Sequence, residues 1–209
     1  MKHLHQEALS KRLPDSTGNF ANTKTAIETR SGTAFDVIQP KASAVAITDI
    51  AHALSNNCRY NGQCAEFYSV AQHSIIVSHL VDPLYAFAGL MHDAAEAYLS
   101  DLCRPAKCAP ELSAYVVIED RIQDAVWEHF GYVFTEEVMR AVKAADNALL
   151  YSEAHAIMTN AHLWGWPEGM TGADFSPFPH LAIRGPDDCW LPKKARYEFM
   201  RRFNQLCDS

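Results

Sequence analysis

Three ionisable residues, His92, Asp93 and Glu96, lie within an otherwise apolar stretch of the sequence at 84–99. A charge buried without a partner is costly, so a hydrophobic helix does not carry such groups without a reason. A divalent metal ion supplies a reason, because carboxylates and neutral imidazoles are common ligands of such ions. His92 and Glu96 are one helical turn apart, whereas Asp93 is turned by about 100°. One helix therefore offers too few ligands, and others must come from elsewhere.

Two residues elsewhere in the sequence are candidates for the missing ligands. His73 lies in a predicted helix that Ser69 caps, and Asp146 lies in a further apolar helical stretch. Each of them also fits a simpler interpretation, as a hydrogen-bonded core histidine or as a salt-bridged aspartate. The spacing by itself leaves both interpretations open.

The spacing of apolar residues predicts an all-α domain of five or more helices. The predicted helices cover 47–54, 69–80, 84–99, 111–130, 135–149, 153–164 and 193–206. An apolar stretch at 33–40 suggests a short N-terminal hairpin. Residues 1–28 are predicted to be a polar arm, and 29–209 a single domain with a metal-site core at 51–158 and a C-terminal loop and helix at 165–209.

Composition limits the classes of partner. The chain has 209 residues, 48% of them hydrophobic, and a formal net charge of -7. Proteins that bind nucleic-acid backbones usually present a basic face, so no nucleic acid is expected as a partner.

No apolar run approaches the roughly 20 residues of a membrane helix, and the first residues do not resemble a signal peptide. With six cysteines and no C-x-x-C pair, we expect reduced thiols and a cytoplasmic protein.

The order of a histidine, a His-Asp pair and an aspartate on separate helices resembles the HD superfamily of metal-dependent phosphohydrolases. Four segments carry the resemblance: 67–74, 90–97, 101–107 and 144–153. Together they are similar to the bacterial 5′-deoxynucleotidase branch, to which phage dATP triphosphohydrolases are related. The resemblance covers roughly residues 51–158 and implies an HD-type helical bundle.

The resemblance implies a metal site and names its ligands. The matching positions are His73, His92, Asp93 and Asp146. The implied cofactor is one divalent transition metal, and Mn, Co, Fe, Ni and Zn all accept these ligand types. Relatives form dimers or larger rings, so a homo-oligomer is expected.

The resemblance also implies roles for residues around the metal. Glu96 matches the carboxylate that orients or deprotonates the attacking water, and Asp101 matches a second acid near the scissile phosphate. Arg59 matches an arginine that binds phosphate. Tyr60 stands where the family has a tryptophan that shapes sugar selection, so a strict preference for 2′-deoxy sugars does not follow. Lys107 is either a second phosphate-binding cation or a solvated surface lysine.

The predicted activity is release of phosphate from a (deoxy)nucleoside 5′-monophosphate, a small anionic substrate. One alternative is a triphosphohydrolase acting on a deoxynucleoside triphosphate. Another is a mixed-valent di-iron oxygenase, but that class needs two further histidines between Asp93 and Asp146, and only His129 lies there. The third is a non-catalytic signalling or interaction module.

Overall fold

The computed structural model describes residues 24–208, which begin with a two-stranded antiparallel hairpin. Strand β1 (Ala26–Glu28) pairs with β2 (Ala34–Asp36), and Ile27 lies opposite Phe35. This confirms the short hairpin and places the end of the predicted polar arm in β1. Residues 1–23, which make up the rest of that arm, lie outside the described residues.

Helices make up most of the described chain, which confirms the predicted all-α class. Their bounds are α1 (Ile47–Asn56), α2 (Val70–Leu80), α3 (Ala86–Met91), α4 (Glu96–Leu99), α5 (Arg104–Lys107), α6 (Ser113–Phe130), α7 (Glu136–Ile157) and α8 (Pro192–Cys207). No helix in residues 24–208 has both the length and the apolar character needed to cross a membrane.

Helix α2 is the centre of the bundle and packs against α1, α3, α7 and α8. Its first turn is fixed as predicted, because the Ser69 hydroxyl accepts a hydrogen bond from the backbone N–H of Gln72. Nine of its eleven residues are buried, including Gln72 and His73. A helix enclosed on all sides holds its side chains in fixed positions, which suits a binding site.

The predicted single helix at 84–99 is wrong, because the chain turns between α3 and α4. In a continuous helix the carbonyl of Met91 would accept from the N–H of Ala95. Here the side-chain amide of Gln123, on α6, lies between them: it donates to the Met91 carbonyl at 2.9 Å and accepts from Ala95 at 3.0 Å. The ring of His92 also bonds the Gly89 carbonyl. An inserted side chain therefore breaks the helix at the His-Asp pair.

The predicted separate helices at 135–149 and 153–164 are one helix, α7, and the extension beyond Ile157 is wrong. The Thr135 hydroxyl caps it by accepting from the N–H of Val138. The chain leaves the helix at Met158, where the backbone is extended. One continuous helix places Asp146 and Glu153, seven residues apart, on the same face.

Gly89 allows α2 and α3 to pack backbone against backbone. A Cβ atom at this position would lie 3.0 Å from the Cα of Ser78 and 3.2 Å from the carbonyl oxygen of Val77. We expect Gly89→Ala to lower the free energy of unfolding by roughly 1–3 kcal/mol, because the two backbones cannot move apart freely. Urea denaturation measures this change. Gly165→Ala, whose Cβ would meet nothing within 4 Å, is the matched control; an equal loss in both variants would contradict the packing explanation.

Candidate metal centre

The four predicted metal ligands lie together where α2, α7 and the turn after α3 meet. His73, His92 and Asp93 each offer a ligand atom, and these atoms lie within 4.8 Å of one another. The Nε2 atom of His92 is 3.1 Å from Oδ2 of Asp93, and Nε2 of His73 is 3.9 Å from the same oxygen. Asp146 reaches in from α7, with Oδ1 3.2 Å from Nε2 of His73. His73, His92 and Asp93 thus form a group that can hold a metal ion.

Hydrogen bonds on the far side of each imidazole ring direct Nε2 towards this group. Nδ1 of His73 lies 2.7 Å from Oε1 of Glu153, and Nδ1 of His92 lies 2.9 Å from the Gly89 carbonyl oxygen. Both acceptors require Nδ1–H, which leaves the lone pair of a neutral ring on Nε2. Both Nε2 atoms are buried, and neither has a hydrogen-bond partner in the part of the chain that the structure describes. A buried polar atom of this kind needs an explanation, and a metal ion bound to Nε2 provides one.

The charges around the group favour a cation at its centre. Burial raises the pKa of Asp93 and of Asp146, but the neighbouring histidines lower both pKa values below the usual range. Burial and Arg59 lower the pKa of His73, yet the carboxylates of Glu153 and Asp146 raise it on balance to about 9. The carboxylates therefore draw a positive charge onto His73, and a divalent ion would supply that charge in place of the proton.

Glu153 is a site residue to which the sequence assigned no role. Its side chain is fully buried on α7 and accepts from the Tyr68 hydroxyl at 2.6 Å and from the Tyr60 hydroxyl at 3.2 Å. Nε of Arg59 lies 3.3 Å away, and the remaining partner is His73. One carboxylate therefore orients a metal ligand and an arginine together. The seven-residue spacing from Asp146 is the signal that points to it.

Loss of the Glu153 charge is expected to weaken metal binding. Glu153→Gln keeps the shape of the side chain but no longer increases the basicity of His73, so affinity for Mn²⁺ should fall roughly 10-fold to 100-fold. Titration followed by electron paramagnetic resonance measures this affinity, and circular dichroism checks the fold. Glu136→Gln, which removes a charge from an 87% exposed position on the same helix, should leave the affinity unchanged. Equal affinity in both variants would contradict this role of Glu153.

Buried Glu96 pairs with half-buried Lys107 beside the ligand group. Oε1 of Glu96 accepts from Nζ of Lys107 at 3.0 Å, whereas Oε2 is buried with no partner among residues 24–208. Burial and the negative charges of Asp93 and Asp101 raise the pKa of Glu96 well above its usual value. Lys107 also donates to Glu119 at 2.8 Å, so it is not a solvated surface lysine. Its role towards phosphate stays a prediction.

Arg59 and Tyr60 lie in a tight turn at Arg59–Gly62, beside the ligand group. Tyr60 and Asn61 both adopt left-handed backbone conformations, with φ of 54° and 53°, which are unfavourable for residues other than glycine. Nη1 of Arg59 lies 3.8 Å from Oδ2 of Asp93. The surrounding contacts therefore hold a strained turn that places an arginine at the centre.

Asp101 follows α4 and faces the same group. Burial raises the pKa of its carboxyl group, Arg59 lowers it, and Asp93 raises it again. These influences place Asp101 in the electrostatic field of the centre, although the structure gives it no hydrogen bond to the ligands. The fold and site thus define an all-α protein with a buried His/Asp group suited to a divalent ion, next to an arginine and two further acids.

Two relatives show the family. The chain is 34% identical over 183 residues to the uncharacterized protein YfdR of Escherichia coli strain K12. The aligned region covers 87% of this chain and 96% of YfdR. It is also 37% identical over 138 residues to an uncharacterized protein of Rhodobacter capsulatus. That aligned region covers 61% of this chain and 70% of the relative. No protein-family model matches the chain. The chain belongs to the YfdR family.

Proposed function

We propose that this protein is an HD-type, metal-dependent phosphohydrolase that removes the 5′-phosphate of a (deoxy)nucleoside monophosphate. The observation that carries the proposal is the convergence of His73, His92 and Asp93, with two buried Nε2 atoms that have no hydrogen-bond partner within residues 24–208. Arg59 lies 3.8 Å from Asp93 and supplies a planar cation that matches a phosphate group. A metal ligand group next to an arginine is an arrangement suited to phosphate hydrolysis.

The ligands proposed for the ion are His73, His92, Asp93 and Asp146. When bound there, a divalent ion lowers the pKa of a water molecule and polarises a phosphoryl oxygen. Arg59 binds the phosphate oxygens on which negative charge increases during reaction. Glu153 keeps the guanidinium group in place, so Arg59 does not have to reorganise when substrate arrives.

Glu96 and Asp101 are the proposed proton carriers. Among the described residues Oε2 of Glu96 has no hydrogen-bond partner, so the ionised carboxylate can accept the proton of the attacking water. The water oxygen forms the new bond to phosphorus as the bond to the 5′ oxygen breaks. Asp101, whose pKa is raised, donates a proton to that oxygen. The products are inorganic phosphate and a nucleoside.

The charges near the centre favour a monophosphate over a triphosphate. Lys107, the second predicted phosphate cation, is paired with both Glu96 and Glu119. Less positive charge therefore remains to bind a β- and a γ-phosphate. The Trp164 ring lies 6.2 Å from the Tyr60 ring and is 39% exposed, which provides an aromatic surface for a sugar or base.

A second metal ion has no support among the described residues. His129, the one histidine between Asp93 and Asp146, directs Nδ1 to the carbonyl of Ala42 at 2.8 Å. It belongs to the contact between α6 and the segment before α1. We therefore propose a single ion, of Mn, Co, Fe, Ni or Zn, and retain the homo-oligomer as a prediction. An iron-to-protein ratio near two would contradict the single-ion proposal.

A phosphate-release panel tests the proposed activity. The purified chain is incubated with Mn²⁺ or Co²⁺ and with nucleoside and deoxynucleoside mono- and triphosphates. We expect inorganic phosphate from monophosphates only, and none after chelation with EDTA. Release of triphosphate would instead establish the triphosphohydrolase. If no phosphate ester is cleaved under any of these conditions although the chain binds metal, the interaction-module alternative replaces the hydrolase.

A further inference from the structure

A separate cavity of about 420 Å³ lies between α2, the loop before α8, and α8 itself. Helix α2 contributes Ile75 and His79 to its wall. At 100° per residue these positions are turned by about 200° and 240° from His73. The cavity therefore lies on the opposite side of α2 from the metal centre and is not part of it.

The cavity is positively charged, although the whole chain carries a formal net charge of -7. Its wall contains Lys194, Arg201 and Arg202 but only one carboxylate, that of Glu198, which leaves a net charge of about two. Arg201 pairs with Glu198 at 2.6 Å. The other two cations therefore share no carboxylate in the cavity.

Lys194 and Arg202 contact only neutral groups in the described part of the chain. Nζ of Lys194 lies 4.6 Å from the centre of the Trp190 ring. Arg202 donates to the hydroxyl oxygen of Ser78 at 2.8 Å and to its carbonyl oxygen at 2.9 Å. Arg202 is partly buried, whereas Lys194 is exposed. A partly buried cation such as Arg202 normally has an anionic partner, because loss of water around it is otherwise uncompensated.

The pKa of a histidine in the cavity wall responds to this positive charge. Burial, followed by the positive charges of Arg202, His180 and Arg201, lowers the pKa of His79 to about 4. Burial lowers the pKa of Arg202 as well. The His79 shift indicates that additional positive charge is disfavoured in this cavity, so that a bound anion would be favoured there.

We propose that this cavity is a binding site for a small phosphate-bearing anion, held by Lys194 and Arg202, with the Trp190 ring as part of its wall. Arginine suits phosphate as a planar fork and lysine as a point charge. The wall is already ordered, because the backbone N–H of Trp190 donates to Oε1 of buried Gln72 at 2.7 Å. The anion is either an inorganic polyphosphate or the phosphate chain of a nucleotide. The site does not depend on the proposed hydrolase activity.

Isothermal titration of the full chain with inorganic tripolyphosphate tests the proposal. EDTA is present throughout, so that the metal centre cannot bind the probe through an ion. We expect saturable 1:1 binding, weakened about tenfold or more in Lys194→Met, because this variant loses a charge-assisted hydrogen bond to phosphate. Lys193→Met, which removes the same charge from an exposed neighbour outside the cavity, should bind normally. His92→Ala should also bind normally, since its metal centre lies elsewhere.

A second arm of the titration distinguishes the two sources of phosphate. Tighter binding of a nucleoside triphosphate than of tripolyphosphate, with the difference lost in Trp190→Leu, assigns a nucleotide to the site. Equal binding of both probes assigns an inorganic polyphosphate. Absence of saturable binding by either probe would overturn the proposal, as would an equal loss of affinity in the Lys193 and Lys194 variants, since that result indicates diffuse attraction to α8.

Discussion

Replacing His92 by alanine is expected to remove the bound metal and to lower phosphate release by on the order of 10³-fold. The Nε2 atom of His92 lies 3.1 Å from Asp93 and has no hydrogen-bond partner among the described residues, so its loss should affect a bound ion more than the fold. In the same part of the chain the His92 ring makes one hydrogen bond, to the Gly89 carbonyl. Metal content per chain, phosphate release and thermal unfolding of the metal-free protein are measured together.

His129→Ala is the matched control for this variant. His129 also directs Nδ1 to a backbone carbonyl, that of Ala42, but it lies outside the ligand group. We expect this variant to retain metal and activity. If both variants lose metal equally, or if His92→Ala retains a full equivalent of metal, then His92 is a structural histidine and the assignment of the centre fails.

The second large effect is expected at Glu96. Glu96→Gln should lower phosphate release by roughly 10²- to 10⁴-fold, the usual contribution of a positioned proton acceptor, while metal content stays unchanged. The fold should not suffer, because Oε2 of Glu96 has no described partner to lose and Lys107 keeps Glu119. Steady-state kinetics should show the loss in kcat, with little change in KM.

Glu119→Gln is the control that distinguishes loss of a proton acceptor at Glu96 from loss of a negative partner of Lys107. Both Glu96 and Glu119 accept from Lys107, at 3.0 and 2.8 Å, so each amide variant removes one of its two negative partners. We expect Glu119→Gln to change kcat less than about tenfold, because it takes no proton from water. Equal losses in the two variants would assign the effect to Lys107 and contradict the role of Glu96.

Local signals in the sequence predicted the parts of the fold that depend on neighbouring residues. Ser69 caps α2 and Thr135 caps α7, as expected from their hydroxyl groups. Helix α6 ends at Gly131 with a left-handed backbone, which the glycine itself indicates. The buried position of His73 also followed from the apolar residues around it.

Distant contacts explain what the sequence could not predict. The break between α3 and α4 depends on Gln123, whose side chain forms hydrogen bonds to both Met91 and Ala95. These residues precede it in the sequence by 32 and 28 positions. The 3.6-residue spacing of apolar residues at 84–99 does not indicate that a distant side chain inserts into the helix. The role of Glu153 likewise depends on His73 and Tyr68, which are 80 and 85 residues away.

The break in the helix also has a consequence for the site. In a continuous helix His92 and Glu96 would lie on one face, and both would point into the same space. The turn at 92–95 instead separates them, so His92 approaches His73 while Glu96 approaches Lys107. A single short segment thus provides two distinct positions, one for the proposed metal ligand and one for the proposed proton carrier.

A crystal structure of the protein grown with Mn²⁺, with an anomalous difference map collected at the manganese edge, tests the central claim most directly. We predict one strong peak per chain, bonded to His73, His92, Asp93 and Asp146. A map without a peak among these side chains, at a Mn²⁺ concentration that saturates the protein in solution, would contradict the assignment of this centre.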